Sequence, residues 1–269
     1  MNTCAKLTKH VGQCVMDHHM IQANDHIMVG LSGGKDSWAL LYFLCDLRDR
    51  APIDFKISAV TVDGGLVGLD ASELQRQCDA LKVPFHLEKQ PIFEIVSDKK
   101  DPDSTFCSMC AKLRRGVLYR VADQLGCNKI ALGHHLDDAL ETLFLNLFYS
   151  GKMAALPPVL KSHKGYADIL RPLLYCKEDD LQAFAKEVAF RTVGCACPIC
   201  PIHPEFDEHS DLKRMKMKKM IREMNKDIPH LHDSARTALK NLELDRFFAF
   251  GLGSGKIKNE ITALPMQKV

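Results

Sequence analysis

The segment Leu31-Ser-Gly-Gly-Lys-Asp-Ser37 stands between two apolar runs, IMVGLS after His26 and WALLYFLCDL before Arg48. A short buried strand, a glycine turn and a helix are the implied order. The pattern then repeats. Ile57 to Val62 ends at Asp63-Gly64-Gly65 and is followed by the helical stretch ASELQRQCDALK; Phe85 to Leu87 supplies a third strand, and Lys129-Ile-Ala-Leu132 a fourth. Such alternation gives an α/β fold, a parallel sheet covered by helices on both faces. Ligands of these sheets bind beyond the carboxyl ends of the strands, where Ser32–Ser37 and Gly133–Asp138 both fall.

Beyond the fourth strand come a loop closed by Pro157-Pro158, a helical segment near Lys177 to Val188, the cysteine-rich stretch Cys195 to Cys200, a basic helical region from Asp211 to Asn225 and a weaker helix around Ala235 to Leu244. The expected organisation is an N-terminal helical segment (1–25), an α/β body (26–190) and a C-terminal extension with cysteines and basic helices (191–269). A chain of 269 residues can bury a full core, and 46% hydrophobic with 26% charged residues excludes a disordered or fibrous chain. No apolar run is long enough to cross a bilayer and the start, MNTCAKLTKHVGQC, lacks the apolar centre of a secretory signal, so the expectation is a cytoplasmic protein with no membrane partner. Eleven cysteines, an odd number, then read as thiols of a reducing compartment, some of them metal ligands or redox groups. The formal charge of +2 predicts no nucleic-acid binding by itself; an RNA surface needs local segregation of Lys and Arg.

In the first loop, two glycines remove the Cβ atoms that would keep backbone N–H groups from an anion, and the following helix adds its positive end. Lys35 brings a full charge; Ser32 and Ser37 bring hydroxyls. The spacing is not that of a Walker A loop. A plain strand-to-helix turn is the alternative, outweighed here by the flanking Ser and Lys. SGGKDS resembles the PP-loop of ATP pyrophosphatases, which implies an adenine nucleotide alpha hydrolase-like fold and the splitting of ATP into AMP and pyrophosphate while a carbonyl oxygen is adenylated. Candidate ATP contacts are Leu31, Ser32, Gly33, Gly34, Lys35, Asp36 and Ser37, with Asp63, Gly133 and His134. Lys35, Asp36, Asp137 and Asp138 are the catalytic candidates. The paired carboxylates suit Mg²⁺, nucleotide or a proton, although one of them can instead cap the helix from Ala139 to Phe148.

Two C-x-x-C pairs, Cys107-Ser-Met-Cys110 and Cys197-Pro-Ile-Cys200, make a strong metal signal, and their wide separation requires the fold to unite them. Four-thiolate zinc and an iron–sulfur cluster both satisfy it. Cys107-Ser-Met-Cys-Ala-Lys-Leu-Arg-Arg-Gly-Val-Leu-Tyr-Arg120, Ile130-Ala-Leu-Gly-His-His-Leu-Asp-Asp138, Thr142-Leu-Phe-Leu-Asn-Leu-Phe-Tyr149, Gly151-Lys-Met153 and Arg171-Pro-Leu-Leu-Tyr-Cys-Lys-Glu178 together resemble the tRNA 2-thiocytidine synthetase family, from about Asp25 to Cys200. The resemblance implies thiolation of cytidine 32 of tRNA, and a [4Fe–4S] cluster on Cys107, Cys110 and Cys200, with Cys197 the alternative third ligand. Cys195-Ala-Cys197 and a two-residue insertion after Phe190 depart from the family pattern. Three ligands leave one iron open to hydrosulfide or persulfide. Cys4, Cys14, Cys45, Cys78, Cys127 and Cys176 read as buried apolar groups.

The RNA-binding candidates are Arg114 and Arg115 after the central cysteines, Lys152, and Lys213 and Lys216 on an amphipathic helix whose other charges are Arg214, Lys218, Lys219 and Arg222. A solvated helix face is the alternative. The implied partners are tRNA and a sulfur donor such as a cysteine desulfurase; family members often act as dimers, which makes a homodimer a further expectation. Rival readings are thiolation of a tRNA uridine, a lysidine-synthetase-like ligase with structural zinc, a persulfide relay without a cluster, and a nucleotide-regulated RNA-binding module.

Overall fold

The computed structural model describes residues 2–65, 69–98, 106–162, 165–193 and 210–241. Two compact units are distinguished, Met1–His232 and Asp233–Val269. In the second, the described residues complete a short helix, with Arg236 against Asp233.

The chain opens with α1 (Thr3–Asp17), capped where the Asn2 side chain accepts from the Cys4 N–H. Then come β1 (His26–Gly30), α2 (Lys35–Arg50), β2 (Lys56–Asp63), α3 (Ala71–Ala80), β3 (Phe85–Lys89), α4 (Ile92–Asp98), α5 (Phe106–Gln124), β4 (Lys129–Ala131), α6 (Leu136–Ser150), β5 (Val159–Leu160), β6 (Asp168–Leu170), a 3₁₀ turn (Pro172–Tyr175), α7 (Glu178–Glu187), α8 (Ser210–Asp227) and α9 (Leu231–Ala238). The four expected strands form, each within two residues of its expected ends. Helix α1 falls inside the helical segment expected over residues 1–25, two short strands were not read from the sequence, and α9 begins four residues earlier than the helix expected there.

The sheet runs β3-β2-β1-β4-β6-β5, parallel except for β5. Alternate side chains of each strand enter different cores, as a period of two requires. Ile27 and Val29 of β1 and Ile57 and Ala59 of β2 join a large cluster with Leu40, Leu44, Leu74, Phe184 and the α1 residues Leu7 and Val11. Met28, Val60, Ile130 and Ile169 meet Val121 and Ala122 of α5 on the opposite face. Of the cysteines expected to be apolar, Cys14, Cys45, Cys78, Cys127 and Cys176 are buried and Cys4 is half-buried. Burial raises the thiols of Cys45 and Cys127 to about 11 and that of Cys78 to about 12, so they stay protonated and inert.

One feature of the topology positions the site. From β1 the chain builds outward through β2 to β3, then returns to lay β4 on the other side of β1. The connections therefore diverge between β1 and β4, and a crevice opens at their carboxyl ends.

Candidate active site

Both suspected loops line that crevice. Leu31 is tied to β2 by its N–H to Val60 O at 2.8 Å, and its carbonyl accepts the Thr61 hydroxyl at 2.7 Å. The turn then folds on its own serines. Ser37 Oγ accepts from the Ser32 N–H at 3.1 Å and from the Ser32 hydroxyl at 3.0 Å, and donates to Gly34 O at 3.0 Å. Gly34 is the N-cap of α2 and carries no side-chain cap, which leaves the first-turn N–H groups to a ligand. Gly33 has φ +83°, and a Cβ there would meet Val193 O at 2.7 Å. Val193 donates its N–H back to Gly33 O at 2.9 Å, so the chain leaving α7 is pinned to the turn two residues before Cys195.

Gly133 packs its backbone on the start of α2: a Cβ would lie 3.0 Å from Asp36 C and from Ser37 N. Only glycine permits that approach. Asp63, at the end of β2, accepts the Gly65 N–H at 3.0 Å. Lys35 Nζ lies 3.0 Å from Asp36 Oδ2 and 3.6 Å from Glu178 Oε1, while Asp36 Oδ1 is buried without a partner.

The paired carboxylates are both engaged. Asp138 Oδ2 accepts the His135 N–H at 3.0 Å, the capping role foreseen for one of the pair, and its Oδ1 accepts from Arg214 at 2.8 Å. Asp137 takes the Glu178 N–H and His232 Nε2, each at 2.8 Å. Burial pushes Asp137 up, but His232 and the Glu178 N–H outweigh it and leave its carboxyl at about 2. Burial raises Glu141, against the pull of Arg214, whose Nε meets its carboxylate at 2.7 Å. His134 is driven down to about 4, chiefly by burial, so it is neutral near pH 7.

Arg214, Glu178, His232 and Glu141 thus belong to the site although no sequence argument had given them a place in it. Arg214 and Glu178 stood within named segments, as part of a basic run and as the end of Arg171–Glu178; nothing in the local pattern marked Glu141 or His232.

Helix α5 precedes a strand parallel to β1, so its N-terminus lies at the same carboxyl edge of the sheet. Cys107 and Cys110 fall at the start of this helix, three residues apart in the chain. Cys110 is half-buried. One turn further, Arg114 is half-buried with Nη2 3.6 Å from where a Cβ of Gly64 would stand, beside the end of β2. Arg115 is exposed. Cys195, Cys197 and Cys200 lie outside the described residues. Lys152, Lys213 and Lys216 are exposed, with Lys213 Nζ 5.1 Å above the ring of Tyr149. Among the described residues no helix is long and apolar enough to cross a membrane.

Residues 4–193 match the family model described as PP-loop domain. A tRNA-cytidine(32) 2-sulfurtransferase of Pelobacter propionicus is 42% identical over 237 residues, 88% of this chain and 86% of that protein. One from Burkholderia vietnamiensis is 44% identical over 247 residues, 92% of this chain and 71% of its own length. Among solved structures, the U34-tRNA thiolase NcsA of Methanococcus maripaludis, determined with its [4Fe–4S] cluster, superposes with a TM-score of 0.68 at 20% identity, over 90% of this chain and 80% of that one. At that identity the likeness speaks to the fold.

Proposed function

The chain belongs to the PP-loop family and, within it, to the tRNA-cytidine(32) 2-sulfurtransferases, and on that premise we propose that it uses ATP to replace the C2 oxygen of a tRNA cytidine with sulfur. One observation carries the reading: an uncapped glycine–serine turn and the first turn of α5, with Cys107 and Cys110, open at the same edge of one sheet.

ATP lies with its phosphates on Ser32–Ser37, held by the free N–H groups of α2 and by Lys35. Asp63 stands at the carboxyl end of the neighbouring strand β2, on the flank of β1 opposite β4, for the nucleoside. Asp36 Oδ1, buried and unpaired, is the oxygen offered to Mg²⁺. The C2 carbonyl oxygen of the base attacks the α-phosphorus, forming a C–O–P link, and the electrons of the broken P–O bond leave with pyrophosphate. A sulfur nucleophile then adds at C2 and the C–O electrons leave with AMP. A base inside a stack cannot present C2, so the substrate cytidine is one in an unstacked, single-stranded stretch of tRNA.

Cys107 and Cys110, with Cys200 or Cys197 as the third ligand, are the residues that would hold a [4Fe–4S] cluster. Their fit rests on the adjacent pair at a helix N-terminus, which favours thiolate. Such a cluster supplies an iron without a protein donor, where sulfur can be held. Lys213, Lys216 and Lys152, with Arg114 and Arg115 near the crevice, are proposed to meet tRNA phosphates. A cysteine desulfurase-type sulfur donor and a homodimeric assembly complete the reading, in a cytoplasmic setting.

The test combines nucleoside mass spectrometry of tRNA with the colour of anaerobically purified protein. Cys107→Ala and Cys110→Ala should abolish 2-thiocytidine and the visible absorption while ATP still binds. Stoichiometric zinc in a colourless, active protein would replace the cluster reading; an amine on the base instead of sulfur would replace thiolation.

A further inference from the structure

Arg171 is a buried charge with no countercharge among the described residues. It follows β6 directly, is 4% exposed, and among the described residues its one side-chain hydrogen bond runs from Nη1 to Pro157 O at 2.6 Å. Its Nε is buried and unbonded. The charged or ionisable groups bearing on it include Arg115, which opposes it, Tyr119, and His134, whose ring feels its charge. The His134 Nδ1 is likewise buried and unbonded. Because β4 and β6 pair with Ala131 opposite Leu170, His134 and Arg171 leave adjacent strands at the same edge. Gly133, next to His134, rests on the backbone of Asp36 and Ser37. The two orphaned nitrogens, the Arg171 Nε–H and a His134 Nδ1 that donates in one neutral tautomer, thus leave the same sheet edge as the phosphate turn.

Holding Pro157 O needs one of the five N–H groups a guanidinium carries, and a lone buried cation is strongly disfavoured unless an anion reaches it. A neutral histidine can add a donor without adding charge. We propose that Arg171 and His134 form a second anion subsite, contiguous with the phosphate turn, that receives pyrophosphate as its bond to the α-phosphorus breaks. The inference rests on the adenylation reading above. As that bond breaks its electron pair stays on the bridging oxygen, and the charge gathering on pyrophosphate meets a planar donor fork placed in advance.

The experiment measures binding of pyrophosphate, AMP and a short single-stranded RNA to the full-length protein and to Arg171→Gln, Arg171→Lys and His134→Gln, with melting temperature as the folding control. Arg171→Gln should weaken pyrophosphate about tenfold to hundredfold and leave AMP within about twofold, with Arg171→Lys recovering part of the loss. A folded Arg171→Gln protein that binds pyrophosphate normally, loses AMP equally, or loses only RNA overturns the subsite. Should that variant fail to fold, His134→Gln is read in the same way, a selective loss supporting the subsite and an unselective or absent one overturning it. A wild-type protein that binds neither ATP nor pyrophosphate removes the adenylation reading as well; ATP binding without a selective effect removes the subsite alone.

Discussion

A methyl group at position 133 would press on the peptide between Asp36 and Ser37 at 3.0 Å. Backbone on both sides has little room to yield, so Gly133→Ala should displace the phosphate turn. We expect ATP affinity to fall about tenfold and stability by about 1–2 kcal/mol, read by titration calorimetry and denaturant melts; an unchanged affinity would show that the two loops part freely. His134 carries a pH signature. Its folded pKa, about 4, lies below the ordinary 6.5, so the unfolded chain binds the extra proton first. Stability from this group is complete above pH 6.5 and declines as pH falls toward 4. His134→Gln should flatten that part of the stability profile. At this scale the sequence was partly legible. Glycine and serine chemistry pointed to the turn because its groups lie within six residues, whereas Arg171 gains its meaning from having no carboxylate against it among the described residues, which no local pattern records.

Helix α8 carries two different basic faces. Arg214, Lys218 and Arg222, at i, i+4 and i+8, form ion pairs with Asp138, Glu141 and Glu178, while Lys213 and Lys216 lie exposed on the other face. The helix and its amphipathic repeat could be read from Leu212, Met215, Met220, Ile221 and Met224. Which cations find carboxylate partners could not, since those partners lie 40 to 76 residues away in the chain. The two faces should respond differently to substitution. Lys213→Ala with Lys216→Ala should weaken tRNA binding and reduce the salt slope by about one per lost phosphate contact, with melting unchanged. Arg214→Met should instead destabilise the protein by about 3 kcal/mol, because Glu141 is left buried and unpaired. Strand β6 escaped the sequence for a different reason: three residues, Asp168–Leu170, are too few to display a period, and the large sheet beside them supplies the pairing.

Across the whole molecule, the order of strands was less visible than their existence. Alternating segments announced a parallel sheet, but the reversal between β1 and β4 depends on side chains meeting across a hundred residues, such as Met28 with Ile130. Ligand linkage should reveal how far that sheet acts as one body. Mg²⁺–ATP at a hundred times its dissociation constant should add about 2.7 kcal/mol to the stability of the first unit, and a single shifted transition in calorimetry would show that both sides of the crevice unfold together. The same reversal sets a timetable for synthesis. On the ribosome β1 emerges long before β4, so one flank of the central strand waits uncovered while about a hundred further residues are made. The nascent protein must pass that interval with a bare hydrogen-bonding edge and half a nucleotide pocket, a stage at which a chaperone would have something to hold and ATP would not.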